Sequence, residues 1–123
     1  MKFKWSDKFS LGISKIDEQH QYLFSLGNEI EHISLAESKQ SVMKLFNYIN
    51  NHFKDEEEYQ KEIGFPLFKS HRDAHNNLIT KFNSIIEKKI ETEEDLEEFK
   101  LFLYRWLVDH IVHEDMKIRN FIK

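Results

Sequence analysis

The sequence predicts an all-α protein, an up-down-up-down antiparallel four-helix bundle preceded by an extended N-terminal arm. Three observations support this. The 123 residues include only one proline and three glycines, and one third of them are charged, as in a helical soluble domain. Apolar residues recur at spacings of three and four along four segments. Short links between these segments favour antiparallel neighbours. We therefore expect residues 1–123 to form a single domain, with an arm over 1–13 and helices over about 15–32, 39–63, 67–90 and 93–121.

The arm mixes aromatic and polar residues without a sustained period, and Gly12 suggests a bend. Ser14 followed by Asp17 resembles an acidic capping box that opens the first helix, which we expect to end near His32. The buried stripe predicted for this helix consists of Ile16, His20, Leu23, Phe24, Gly27 and Ile30.

The second helix should have Ser38 as its N-cap and Gly64 just after its last turn. Phe65 and Pro66 then form the turn into the third helix. The second stripe comprises Val42, Leu45, Phe46, Ile49, His52, Phe53 and Glu56. The third stripe comprises Phe68, His71, His75, Leu78, Ile79, Phe82 and Ile86.

Thr92 and Asp95 form a second candidate capping box, at the start of the fourth helix. The stripe predicted for this helix comprises Leu96, Phe99, Leu103, Trp106, Leu107, His110, Ile111 and Ile118.

The composition excludes several classes of function. A formal net charge of −4 offers no basic surface for nucleic acid, and the absence of cysteine excludes disulfides, thiolate zinc sites and iron–sulfur clusters. The N-terminus lacks the apolar run of a signal peptide, and no later segment is apolar enough for a membrane span. We expect a cytoplasmic monomer with no membrane or nucleic-acid partner.

Two histidine-anchored pairs indicate a metal site. His52 and Glu56 are four residues apart, as are His71 and His75, so each pair projects from one face of its helix. All four lie on apolar stripes, where a buried charge needs compensation. In an antiparallel bundle, the segment beginning at His110 lies at the same end as both pairs.

His20, early in the first helix, completes this level, so that every helix contributes a histidine. A single inward histidine is more often a hydrogen-bonded core residue than a ligand. Five desolvated imidazoles without partners would be costly, however, so the set favours a metal. His32 points away from its stripe and His113 lies on the flank of the fourth helix, about 60° from His110, so these two histidines serve as contrasts. Within the acidic run at 55–58, only Glu56 lies on the stripe, and Asp55, Glu57 and Glu58 are interpreted as a solvated face.

Imidazole and carboxylate donors without thiolate suit iron, zinc, copper or manganese. Five histidines and two carboxylates exceed what one ion can use, which predicts two ions. Two octahedral ions have 12 positions: five imidazoles, two bridging carboxylates and one bridging oxygen fill 11, and one position stays open for a small ligand.

The chain resembles the bacterial members of the hemerythrin family over nearly its whole length. The matching elements are Trp5, G-x-x-x-I-D-x-x-H from Gly12 to His20, H-F-x-x-E from His52 to Glu56, H-x-x-x-H from His71 to His75, and W-L-x-x-H-I-x-x-x-D from Trp106 to Asp115.

The resemblance implies two iron ions joined by a bridging oxo or hydroxo group, with dioxygen binding at the iron that has two histidines. It implies that one iron is bound by His71, His75 and His110 and the other by His20 and His52. It also implies that two carboxylates, Glu56 and Asp115, bridge the irons. It also implies an apolar wall around the oxygen site, formed by Leu23, Phe53, Leu107 and Ile111. Spacing alone would interpret these four as ordinary core.

Helix geometry and the family pattern disagree at one ligand. His110 and Asp115 are five residues apart, about 140° on an ideal helix, whereas Glu114 would be the natural partner at four. Following the family pattern, we predict that the fourth helix is locally widened or rotated near Val112, a π-bulge being one form of such a change.

Three functions remain open from the sequence. The first is reversible dioxygen binding for oxygen delivery, storage or sensing, with a reductase or oxygen-consuming partner unidentified. The second is enzymatic, with the same site acting as an oxidase, peroxidase or nitric oxide scavenger. Richness in histidine over carboxylate disfavours this second function. The third is a bundle stabilised by metal, or an iron store, with no open position.

Overall fold

The computed structural model describes residues 3–123. The helices are α1 (Ser14–Glu31), α2 (Ser38–Ile63), α3 (Phe68–Lys88) and α4 (Glu93–His110), followed by a π-helical turn (Ile111–Asp115) and α5 (Met116–Ile122). The turn and α5 continue α4 without a break, so the chain forms four rods. The start of α1 meets the end of α2, since the Nε2 atoms of His20 and His52 lie 3.1 Å apart. The predicted all-α antiparallel four-helix bundle is confirmed.

The expected capping box at the start of α1 is wrong. The helix begins at Ser14 with Ile13 as its N-cap, and no side chain caps it. Asp17 instead accepts hydrogen bonds from the Ser10 hydroxyl at 2.6 Å and the Leu11 amide at 2.8 Å. The Asp17 carboxylate therefore connects the arm to α1. The arm lies close enough for its donors, rather than the backbone at the start of the helix, to occupy the carboxylate oxygens.

The arm packs against the bundle through its aromatic residues. The part of the arm expected at Met1 and Lys2 lies outside the described residues. The Phe3 ring lies 5.4 Å from that of Phe24 and lies directly over Gly27, where a Cβ would collide with it. The side-chain amide of Asn28 accepts from the Phe3 amide and donates to its carbonyl, both at 2.8 Å. Glycine at position 27 thus lets the arm approach α1 closely.

The other helix ends agree with the expectations in part. Gly64 has a φ of 66° after α2, and Thr92 and Asp95 form the expected capping box. The expectation for Ser38 is wrong, because Ser38 is already helical. A capping box of Ser34 and Glu37 precedes it, around a short 3₁₀ turn.

The core is divided by a polar layer. A large apolar cluster includes Leu23, Phe53 and Ile111, and a smaller one consists of Leu11, Ile16, Phe65 and Ile118. The buried polar residues between them include His20, which follows Ile16 and precedes Leu23 on α1, and Asp115, which lies between Ile111 and Ile118. The layer therefore lies inside the bundle, and the smaller cluster, with Leu11 of the arm and Phe65, covers it on one side.

Within residues 3–123, no helix has both the length and the apolar character that crossing a membrane requires.

Candidate metal centre

Seven polar side chains meet in the buried layer, each at most 6% exposed. They form two groups in which one donor atom of every residue lies within 4.8 Å of the others. The three-histidine group comprises His71, His75, His110, Glu56 and Asp115, and the two-histidine group comprises His20, His52, Glu56 and Asp115. The structure thus brings together every residue that the sequence singled out as a candidate ligand.

Each shared carboxylate divides its two oxygens between the groups. Glu56 Oε1 lies 2.9 Å from the Nε2 of His71, and Glu56 Oε2 lies 3.2 Å from the Nε2 of His52. Asp115 Oδ1 lies 2.8 Å from His71 Nε2, while its Oδ2 lies 3.1 Å from His20 Nε2. This arrangement suits two carboxylates that bridge a pair of cations.

The imidazole nitrogens in each group converge on a common point. Nε2 of His20 is 3.1 Å from Nε2 of His52, and Nε2 of His75 is 3.1 Å from Nε2 of His110. Two nitrogen ligands at right angles, each roughly 2.1 Å from one ion, would be separated by roughly 3.0 Å. The paired nitrogens are therefore spaced as neighbouring ligands of a single ion.

The π-helical turn brings Asp115 into the layer. Five residues separate it from His110, and the widened turn at Ile111–Asp115 keeps both side chains buried. Glu114 is half-buried and pairs with Lys117 at 3.6 Å instead. The predicted π-bulge is confirmed.

The carboxylates stay ionised in the absence of a metal. Burial raises the pKa of Glu56, but short polar contacts with the surrounding histidines hold this pKa well below its ordinary value. Burial and the Glu56 charge raise the pKa of Asp115, yet His110 and His20 hold it below its ordinary value. Two negative charges therefore persist at the centre of the layer.

The histidines respond differently to that charge. Burial lowers the pKa of His20, but short polar contacts with the carboxylates of Asp115 and Glu56 raise it to about 9. The same opposition raises the pKa of His71 to about 10. For His52 burial prevails, and its pKa lies below the ordinary value. Protons on His20 and His71 can thus balance the carboxylates until a cation replaces them.

These proton-mediated contacts satisfy the layer poorly. Both oxygens of Glu56 and both of Asp115 are buried without a hydrogen bond of good geometry, although imidazole nitrogens lie within 2.8 to 3.5 Å. Each buried acceptor without a hydrogen bond lowers the stability of the folded protein by roughly 1–3 kcal/mol. Metal ions between the two sets of atoms would use these lone pairs, so the residues fit a pair of bound cations.

Three polar residues around the layer were missed by the sequence reasoning. Glu57 Oε2 lies 2.9 Å from His75 Nδ1, and Gln19 Oε1 lies 2.6 Å from His52 Nδ1. Gln19 also donates to Asp55 at 2.8 Å. The interpretation of Glu57 and Asp55 as a purely solvated face is therefore wrong, whereas Glu58 is exposed as expected.

Gln60 is a further buried polar residue, with neither its side-chain oxygen nor its nitrogen in a hydrogen bond. The signal was available in the sequence, because Gln60 follows Glu56 by four residues and so continues the α2 stripe.

Apolar side chains cover the layer on the side of the large cluster. The four residues expected to wall a ligand pocket are buried there: Leu23, Phe53, Leu107 and Ile111. The Phe53 ring stacks on His75 with centroids 3.7 Å apart and planes 6° apart. A groove of about 1010 Å³ between α3 and α4 reaches His110, on which the Trp106 ring stacks at 5.6 Å.

The two contrasting histidines lie outside the layer. His32 is exposed beyond the end of α1. His113 is 69% exposed and pairs with Asp109 at 3.2 Å on the surface of the fourth rod.

Comparisons with known proteins agree with this geometry. The family model described as the hemerythrin HHE cation binding domain matches residues 11–122. A bacteriohemerythrin of Clostridium acetobutylicum is 31% identical over 123 residues, covering 92% of this chain and 95% of its own. A hemerythrin-like protein of Naegleria gruberi is 27% identical, covering 96% and 92%. A bacteriohemerythrin of Campylobacter jejuni is 29% identical, covering 89% and 86%.

Proposed function

Because the chain belongs to the hemerythrin family, we propose that its buried layer holds a non-heme di-iron centre that binds dioxygen reversibly. One observation carries the proposal: both buried carboxylates direct one oxygen to the three-histidine group and the other to the two-histidine group. A single ion would leave one oxygen of each carboxylate without a partner. Two ions use all four.

The donor atoms assign the ligands. His71, His75 and His110 would hold one iron, and His20 and His52 the other, with Glu56 and Asp115 shared by both. The three-histidine group then offers five donors and the two-histidine group four. The two-histidine group therefore offers one protein donor fewer, and we expect dioxygen to bind at the iron it would hold, beside a bridging oxo or hydroxo group.

The donors are compatible with iron, and the family to which the chain belongs favours it over the other metals that these donors suit. Imidazole nitrogen and carboxylate oxygen suit the divalent and trivalent states alike, and the chain contains no thiolate. Two irons held by these residues would supply reversible two-electron chemistry to dioxygen. The protein's task is to keep this exchange reversible.

The apolar wall serves that task. Leu23, Phe53, Leu107 and Ile111 offer no donor or acceptor to water. Their packing would exclude the water and protons that otherwise displace the ligand and leave the irons oxidised. Phe53 also stacks on His75, so the same side chain would line the proposed oxygen pocket and hold the ring of a metal-binding histidine in place.

An optical experiment tests the function. Protein reduced under inert gas should colour when dioxygen is admitted, bleach when it is removed, and repeat the cycle. His52→Ala should abolish the colour because the two-histidine iron loses a ligand. His32→Ala, at an exposed position, is the matched control and should behave as wild type. An iron-loaded protein that is indifferent to dioxygen would refute the proposal.

The enzymatic alternative has its own assay. Steady oxidation of a reductant by dioxygen or hydrogen peroxide, at a rate that exceeds dioxygen release, would replace reversible binding with an oxidase or peroxidase function.

A further inference from the structure

The outer nitrogens of three clustered histidines have unequal partners. His75 Nδ1 faces a carboxylate oxygen of Glu57 at 2.9 Å. His52 Nδ1 faces the neutral amide oxygen of Gln19 at 2.6 Å. Nδ1 of His20 is buried without a hydrogen bond. The three-histidine group thus has a charged outer partner where the two-histidine group has a neutral one.

Consecutive positions on α2 explain how Glu57 reaches this place. Glu56 and Glu57 diverge by about 100° around the helix, so one enters the layer while the other turns towards α3. The Glu57 side chain keeps 22% exposure, whereas that of His75 has 1%. The carboxylate is therefore solvated on one side while it contacts a buried ring on the other. Such a bond to an ionised acceptor is stronger than one to an amide.

The orientation of the His75 ring is fixed on three sides. Phe53 stacks on its face at 3.7 Å, Glu57 holds Nδ1, and Nε2 points to Nε2 of His110. Because the carboxylate accepts and cannot donate, Nδ1 must carry the proton. Nε2 is then the nitrogen left free to bind a metal.

The neutral partner of His52 acts more weakly. Asp55 receives a hydrogen bond from Gln19 at 2.8 Å and so influences His52 only through the amide. A neutral amide oxygen is a weaker hydrogen-bond acceptor than a carboxylate, so it polarises the imidazole less. The His52 ring is therefore a weaker electron-pair donor to a metal than the His75 ring.

Building on the proposed di-iron function, we propose that Glu57 is a positioning residue that makes the two metal positions inequivalent. By accepting a hydrogen bond from the Nδ1–H of His75, Glu57 increases the electron density at Nε2 of that ring. The three-histidine ion is thereby held more tightly and has a lower reduction potential than it would with a neutral partner at His75. The ion next to the open position lacks this contribution.

Zinc retention tests the first half of the proposal without iron. Zinc-loaded Glu57→Gln should release one of its two zinc ions to a competing chelator with an affinity 10–100-fold below wild type, the loss typical of an outer-shell partner. Glu58→Gln makes the same change at an exposed neighbour and should match wild type. Equal retention by the two variants would overturn the proposal.

The reduction potential tests the second half. In iron-loaded Glu57→Gln, the midpoint of one iron should rise, and each tenfold change in the relative binding of the ferric and ferrous states corresponds to about 59 mV. Glu57→Asp should restore part of the difference. A midpoint identical to that of Glu58→Gln, despite lost zinc, would assign Glu57 a structural role and overturn this half.

A measurement on the unmutated chain covers the case in which Glu57→Gln does not fold. In zinc-loaded wild type, the Nδ1–H proton of His75 should give an NMR signal that persists at pH 8. Exchange as fast as that of the exposed His32 ring would overturn the proposal. Because zinc needs no dioxygen, these results are independent of whether the iron-loaded protein binds oxygen.

Discussion

Glu56 and Asp115 are the two residues that both groups of candidate metal ligands share. Each is fully buried, and each directs one oxygen towards either group. The histidines are divided between the groups, so removing one of them affects one ion first. Loss of either carboxylate should affect both ions together, since it removes a ligand and a negative charge from each.

Glu56→Gln should therefore reduce the metal content from two equivalents per chain towards none. The amide keeps the shape of the side chain but has only one acceptor oxygen and no charge. Metal analysis after loading and desalting measures the effect. Glu62→Gln, an exposed position on the same helix, is the control and should retain both ions. Loss of only one ion from Glu56→Gln would contradict the shared role.

Metal uptake should release protons. Short polar contacts with the buried carboxylates outweigh the effect of burial and raise the pKa of His20 to about 9 and that of His71 to about 10. Both rings are therefore protonated at pH 7, and each must lose a proton to bind a metal. Zinc titration in weakly buffered solution at pH 7 should release at least two protons per chain, and the apparent zinc affinity should rise with pH up to about 10, the pKa of His71. Release of less than one proton would contradict these shifts.

At the scale of residues, the sequence predicted which side chains face the interior, because the period of the helix determines this. Inward positions follow from spacing, so the apolar pattern alone places His20, His52 and Glu56 inside the bundle. The partnership of Glu57 with His75 could not be predicted in this way, because Glu57 lies beside the stripe and its contact depends on how closely α3 approaches α2. The same limit applies to the bond between Gln19 and His52.

At the scale of elements, the π-helical turn decides which acidic residue enters the layer. The family resemblance predicted it, because the resemblance makes Asp115 a ligand five residues after His110, a spacing that conflicts with an ideal helix, whereas spacing alone favours Glu114. The start of α1 could not be predicted in the same way. Ser14 and Asp17 have the pattern of a capping box, and only the path of the arm shows that Asp17 bonds to Ser10 and Leu11.

A matched pair of substitutions tests the turn. Asp115→Asn should lose metal from both groups, whereas Glu114→Gln should retain two ions, because Glu114 faces Lys117 on the surface. On a regular α-helix the two results would be exchanged. Metal analysis, with circular dichroism to confirm that each variant is folded, distinguishes the two arrangements.

At the scale of the whole molecule, a polar layer separates two apolar clusters, and the bound ions would complete the core. The antiparallel arrangement and the common level of the histidines follow from helix lengths and short links. The groove between α3 and α4 does not, because the separation of two helices depends on side-chain packing that the apolar pattern leaves open. The groove exposes the flank of the site near Trp106 and His110.

Metal binding should stabilise the entire bundle. Ions that bind only the folded state add roughly 4 kcal/mol each when the free metal is about 1000 times the dissociation constant. Thermal unfolding followed by circular dichroism should shift to higher temperature when zinc is added and return when a chelator removes it. Glu56→Gln should show little shift. An unchanged unfolding temperature in wild type would mean that the layer binds no metal in the folded state.

Anomalous diffraction at the iron edge from crystals of the iron-loaded protein tests the central claim most directly. We predict two iron peaks, one beside His71, His75 and His110 and the other beside His20 and His52, with one oxygen of Glu56 and one of Asp115 bound to each iron. A single peak, or coordination by Glu114 in place of Asp115, would contradict the account.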